Sequence, residues 1–138
     1  EALSRVGLEP GDMTDPDRIR AVRDRLSGRQ FDIVFINGGI ANRTPETTMA
    51  GVSTEEFVHV MVTNVLAVMR AVEAFGDLAR PGGVVGAMSS GQGSIANNLN
   101  GVNDVYRASK AALNQSMASY AGRHAASGRA LAASSFAI

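Results

Sequence analysis

A tyrosine and a lysine, Tyr106 and Lys110, carry the clearest chemical signal in this 138-residue sequence. They are spaced as Tyr-x-x-x-Lys, so on a helix both side chains lie on one face. An ammonium beside a phenol favours the phenolate and draws the phenol pKa from about 10 towards neutrality. A tyrosine tuned in this way can give and take a proton at physiological pH. The spacing alone is a weak signal, because the two residue types often share a helix face as core edge and solvated charge. Composition sharpens it. Lys110 is the only lysine, and the other cationic side chains are twelve arginines. Arginine does not readily replace lysine where a compact point charge must sit beside a phenol.

Several elements must bring these residues to one place. Asp15 and Pro16 mark the start of a first helix as N-cap and first helical residue, with Ile19, Val22 and Leu26 as its buried stripe and Ser27-Gly28 as its end. The continuous apolar run FDIVFIN predicts a strand covered on both faces, ending at Asn37-Gly38-Gly39, where glycines allow a close backbone approach. After a polar loop over residues 41–52, Ser53 and Glu56 stand in capping-box spacing, and a second helix is expected to about Ala79. Its apolar face runs through Phe57, Val60, Met61, Val65, Val68, Val72 and Phe75. Asn64 interrupts that face, and a buried amide needs a hydrogen-bond partner, most simply a neighbouring backbone.

Pro81-Gly82-Gly83 then reads as the end of this helix, and VVGAM as a short buried strand leading into Ser89-Ser90. A third helix is expected from near Asn103-Asp104 to about His124, with Tyr106, Lys110, Leu113, Met117 and Tyr120 at helical spacing. The small residues Ala108, Ser109, Ala111 and Ala112 permit close packing on a sheet or helix, and ALAASSFAI reads as a last strand. Alternating strands and helices in one chain predict an α/β domain over residues 1–138, with parallel strands joined by right-handed crossovers. In such sheets ligands bind beyond the carboxyl ends of the strands, where Asn37 and Ser90 fall.

The bulk properties narrow the partners. Thirteen basic residues balance thirteen acidic ones with no basic run, which disfavours nucleic acid and anionic membranes. No apolar run approaches a membrane span, and the lack of cysteine excludes disulfides, a thiol nucleophile and thiolate metal sites. The composition fits a cytoplasmic protein.

In this order the motifs resemble the short-chain dehydrogenase/reductase family, from about Asp12 to Ser127. The family's Asn-Asn-Ala-Gly appears as Ile36-Asn37-Gly38-Gly39, its helical asparagine as Asn64, its serine as Ser90 and its Tyr-x-x-x-Lys as Tyr106 and Lys110. The family's Asp-x-Thr, which approaches the adenine ring, appears as Asp12-Met13-Thr14, and the long loop with GSIANN is similar to the C-factor-like branch. The resemblance implies a Rossmann-like, doubly wound parallel sheet and an NAD- or NADP-dependent interconversion of a small carbonyl and its alcohol. It implies that Tyr106 exchanges the proton, Lys110 tunes it and holds the nicotinamide ribose, and Ser90 polarises the carbonyl. Asn64 would hold a water in a proton relay, while Asp12, Met13, Asn37, Gly38 and Gly39 would border the cofactor. No metal is called for, and pairing through the second and third helices implies a homo-oligomer.

The sequence also departs from that pattern. The glycine-rich turn that cradles the cofactor pyrophosphate is not present before Asp12, nor is the segment beyond the last strand. The expected sheet is therefore incomplete, FDIVFI becomes an exposed edge, and the sequence reads as part of a longer enzyme. The competing reading is a cofactor-free fragment or pseudoenzyme that serves as a binding or scaffold protein.

Overall fold

The first helix starts as its cap residues dictate. In a computed structural model that describes residues 11–134, helix α1 spans Pro16–Arg25 and the Asp15 carboxylate accepts from the Asp17 and Arg18 amides. Strand β1, Phe31–Ile36, follows, then helix α2, Thr54–Met61. The Ser53 hydroxyl oxygen accepts from the Glu56 amide at 3.1 Å, as its capping position predicts. Glu56 does not close the expected box; its carboxylate accepts from the Arg43 backbone at 2.6 Å and ties the preceding loop to the helix.

Beyond Met61 the helix widens into a π-helical turn, Val62–Ala67, and continues as α3, Val68–Phe75, with a 3₁₀ turn over Gly76–Leu78. This helical run of 25 residues, Thr54–Leu78, is long and apolar enough by length and composition to cross a membrane. The sequence expectation found no such run because Thr63, Asn64 and Arg70 interrupt the apolar residues, whereas the average over the helix absorbs them. Val60, Ala67, Val68 and Val72 are fully buried, so one face of the run is core.

Strand β2 covers Ala79–Met88, helix α4 Asp104–Arg123 and strand β3 Ala130–Ser134. The three strands form a parallel sheet in the order β1-β2-β3. This is the expected α/β architecture with an incomplete sheet. The expected readings of residues 1–10 and of the last four residues lie outside the described part. Val34, Val85 and Ala87 of the sheet pack with Val68 and Val72 of α3 and with Leu113 and Met117 of α4 to form the core.

Two expectations are corrected. Pro81-Gly82-Gly83 does not end the helix but lies within β2: Phe31 pairs with Ala79 and Ile33 with Val84, so the intervening residues bulge out of register. The helix has already closed at Leu78, whose side chain is buried, and Ala79 is free to pair. Strand β1 lacks the cover on both faces that its apolar run suggested, and among the described residues it lies at the edge that the incomplete sheet implied. Val34 is buried, but Ile33 and Phe35 are 63% and 40% exposed, because among the described residues β1 pairs with β2 alone. An apolar run in sequence reports that a strand suits burial and does not report whether its neighbours are there.

At Gly83 a Cβ would lie 2.8 Å from the Asp32 carbonyl and 2.9 Å from that of Arg80, both rigid backbone. The Gly83→Ala variant is expected to lose about 1–3 kcal/mol, the usual cost of overpacking. Thermal denaturation checks this, and a midpoint equal to that of wild type would contradict the bulge geometry.

Candidate active site

The carboxyl ends of β1 and β2 open onto the first turns of α4, and the candidate residues meet there. Asn37, Gly38 and Gly39 follow β1 directly, and Ser89 and Ser90 follow β2. Lys110 rises from α4 between them. Its ammonium donates to the Met88 carbonyl at 3.0 Å and stands 5.8 Å from the centre of the Tyr106 ring. Lys110 is only 3% exposed. Burial disfavours its charged form and pushes its pKa below the ordinary lysine value. Tyr106 is partly exposed, as a group that must reach a substrate has to be.

Gly39 explains how the lysine can lie so deep. A Cβ at this position would sit 3.1 Å from the Lys110 ammonium and 3.2 Å from the Asn64 amide oxygen. Only a bare backbone fits comfortably between them, so Gly39, Asn64 and Lys110 form one packed unit. Gly38 has a different neighbour, since a Cβ there would collide with the tip of the Met13 side chain. That contact brings the Asp12-Met13-Thr14 segment to the end of β1. The Asp12 carboxylate accepts from the Thr14 amide and hydroxyl, each at 2.8 Å, and these bonds hold its pKa below the usual carboxylate range.

Asn64 lies in the π-helical turn and is fully buried. Its oxygen accepts from the Ile40 amide at 2.7 Å, and its nitrogen donates to the Ile40 carbonyl at 2.8 Å and to the Ser109 hydroxyl at 2.9 Å. Both donors of the side chain are thus occupied by protein, and one acceptor position is left. Bonding to a neighbouring backbone, the plainer of the two sequence readings, is what this amide does. Ser109 passes the link on by donating to the Tyr106 carbonyl at 2.7 Å. Sequence reasoning treated Ser109 as a small packing residue, and nothing in its spacing marks it as a bridge from the second helix to the third.

The two serines have separate duties. Ser89 is buried and donates to the Asn114 side chain at 2.6 Å. Ser90 is partly exposed, and its hydroxyl oxygen accepts from the Gln92 amide at 3.1 Å, which leaves its proton free to donate outward. The 3₁₀ turn after it, Gly91–Gly93, packs on α4 so closely that a Cβ at Gly93 would lie 2.9 Å from the Lys110 carbonyl carbon. Of the predicted residues, Gly39, Asn64, Tyr106 and Lys110 are in direct proximity. Ser90 joins them through its turn, Met13 joins Gly38, and Asn37 is exposed beside them.

Lys110 gives the site a measurable pH signature. Its native pKa lies below that of the unfolded chain, so between the two values the unfolded state binds more protons and stability rises with pH. Below that window the lysine is charged in both states and its burial costs stability in full. The Lys110→Met variant removes the cost, and its thermal midpoint relative to wild type should be most favourable at neutral pH. The difference should shrink as the pH climbs towards about 10.4, the ordinary lysine value. A difference that is flat with pH would contradict the burial assigned to Lys110.

Comparison with known proteins agrees with this fold. Residues 2–132 match the family model described as enoyl-(acyl carrier protein) reductase. A candidate short-chain alcohol dehydrogenase from Burkholderia multivorans superposes with a TM-score of 0.91 at 49% identity, covering 96% of this chain and 60% of that one. A candidate short-chain dehydrogenase/reductase of the same organism, solved with NADP bound, gives a TM-score of 0.90 at 50% identity, covering 94% of this chain and 56% of that one. A carbonyl reductase from Pseudomonas aeruginosa PAO1, solved in complex with NADP, gives 0.74 at 32% identity, covering 82% of this chain and 49% of that one. The chain therefore spans between 49% and 60% of the length of these three proteins. No protein of curated function matches. With its parallel sheet, its Tyr106–Lys110 pair and these relatives, the chain belongs to the short-chain dehydrogenase/reductase family.

Proposed function

We propose that the chain carries the catalytic face of an NAD(P)-dependent oxidoreductase that interconverts a small carbonyl compound and its alcohol. One observation carries the reading: a deeply buried ammonium, held by the Met88 carbonyl, faces the partly exposed Tyr106 ring at the carboxyl edge of a parallel sheet. Structural neutrality does not call for a buried lysine, and a charge kept there at a cost in stability suits a chemical duty.

The residues at this edge fit a nicotinamide dinucleotide. Lys110 has one acceptor in Met88 and two further N–H groups for ribose hydroxyls, and the bare backbone of Gly39 leaves the floor beside it open. Asn37 and Gly39 are exposed on that floor, and Asp12 and Met13 would border the adenine end. The bound cofactor supplies or accepts the hydride. The two similar structures solved with NADP support this choice, with NAD as the other coenzyme of the class.

In the reduction direction Ser90 donates its free hydroxyl proton in a hydrogen bond to the carbonyl oxygen and stabilises the charge that develops there. Tyr106 transfers its phenolic proton to the same oxygen as the alcohol forms, and it takes the proton back in the oxidation direction. Lys110 favours the phenolate that remains. Asn64 serves first as a strut between Ile40 and Ser109, and its one remaining acceptor position suits the relay water that the family resemblance implies. The long loop after Ser90 fits the C-factor-like branch. The exposed Val58 and Leu66 on the second helical run suit pairing with another copy of the chain. A second reading, reduction of an enoyl thioester, is favoured by the description of the matching family.

The deciding experiment titrates the protein with NADPH and NADH by nicotinamide fluorescence and then screens aldehydes, ketones and an enoyl thioester. Tyr106→Phe is expected to bind the coenzyme as wild type does and to lose about 10²–10⁴-fold in turnover, the range for removing a general acid. Turnover that survives this substitution, or activity confined to the thioester, would overturn the carbonyl reading.

A further inference from the structure

Asn103 is the one residue other than glycine at positive φ among the described residues, with φ 61° and ψ 41°. It is the N-cap of α4, three positions before Tyr106. An N-cap residue ordinarily sits in the extended region and turns its side chain back onto the helix amides. Asn103 does neither, and its side chain makes no capping bond. The left-handed backbone is tolerable for asparagine, though uncommon, and such conformations concentrate at functional sites.

The side chain released from capping reaches the turn that carries Ser90. The Asn103 amide nitrogen donates to the Gln92 side-chain oxygen at 3.2 Å, and the Gln92 backbone N–H donates to the Ser90 hydroxyl at 3.1 Å. The backbone of Asn103 is fixed on both sides. Its N–H donates to the Pro45 carbonyl at 2.8 Å, and its carbonyl accepts from the Arg107 amide at 2.8 Å. Asn103 therefore joins three pieces of chain: the loop after β1, the Ser90 turn and the first turn of the helix bearing Tyr106.

We infer that Asn103 is a positioning residue that sets the Ser90 turn against the start of α4, and so fixes the serine hydroxyl relative to the tyrosine. The inference rests on the reading of Ser90 as the group that meets the substrate oxygen. The helix forgoes its cap so that one amide can bridge to Gln92. Because the link acts through Gln92, Asn103 acts on the Ser90 hydroxyl indirectly.

Two substitutions separate this role from a purely structural one. Asn103→Gly suits the left-handed backbone without strain and deletes the amide. Asn103→Asp keeps a polar group of the same size, which Gln92 can meet by turning its own amide nitrogen towards the carboxylate. The measurements are hydrogen exchange at the Gln92, Gly93 and Ser94 amides, the thermal midpoint, and kcat and KM with NADPH and a carbonyl substrate. Asn103→Gly is expected to exchange about tenfold faster at these amides and to lose about tenfold in kcat, a change that one hydrogen bond can produce. Its midpoint and KM should stay near those of wild type, and Asn103→Asp should restore both exchange and kcat. Unchanged exchange in Asn103→Gly, or exchange raised equally in both variants, overturns the inference. If wild type shows no carbonyl turnover, the functional reading fails and the exchange data still decide for or against the link.

Discussion

One buried lysine among the described residues organises this molecule. Placing the Lys110 ammonium among packed side chains is unfavourable unless polar partners meet it. The fold supplies one at the end of β2, where the Met88 carbonyl points at it, and makes room by leaving position 39 without a side chain. Each arrangement constrains another. The strand must end at Met88, the chain after β1 must pass close to α4, and Asn64 must be tied to Ile40 so that this passage holds its course. The π-helical turn fits the same picture, because such turns re-aim residues within a helix and Asn64 lies inside it.

The sequence conveyed the elements well, and their neighbours poorly. Asp15-Pro16 and Ser53 are local signals whose hydrogen bonds close within a few residues, so they could be read without a structure. The Tyr106–Lys110 spacing was equally local. Glu56 shows where local logic stops: its spacing from Ser53 fits a capping box, yet a backbone amide brought near by the tertiary fold takes its carboxylate. Pro81-Gly82-Gly83 misled for a related reason. The same residues that break a helix also form a strand bulge, and only the pairing of Phe31 with Ala79 distinguishes the two.

At the site itself, the ranking of Ser90 over Ser89 came from resemblance and has a physical correlate in the structure. Ser89 spends its proton on Asn114, whereas Ser90 receives a hydrogen bond and keeps its proton. Ser109, Gln92 and Asn103 were invisible as participants, since their roles depend on contacts between segments far apart in the chain. Asn64 was visible as an anomaly on an apolar stripe. Its backbone-bonding duty became visible only with the positions of Ile40 and Ser109.

The all-parallel order of the sheet has a consequence for how the molecule reaches its native state. Parallel strands cannot meet as a hairpin, so every strand pairing here waits for an intervening helix to form and dock. Such non-local contacts make folding slow. Throughout that delay β1, which among the described residues pairs with β2 alone, presents Ile33 and Phe35 to any other chain being made nearby. Docking therefore competes with self-association, and the yield of native protein should depend on protein concentration as well as on final stability.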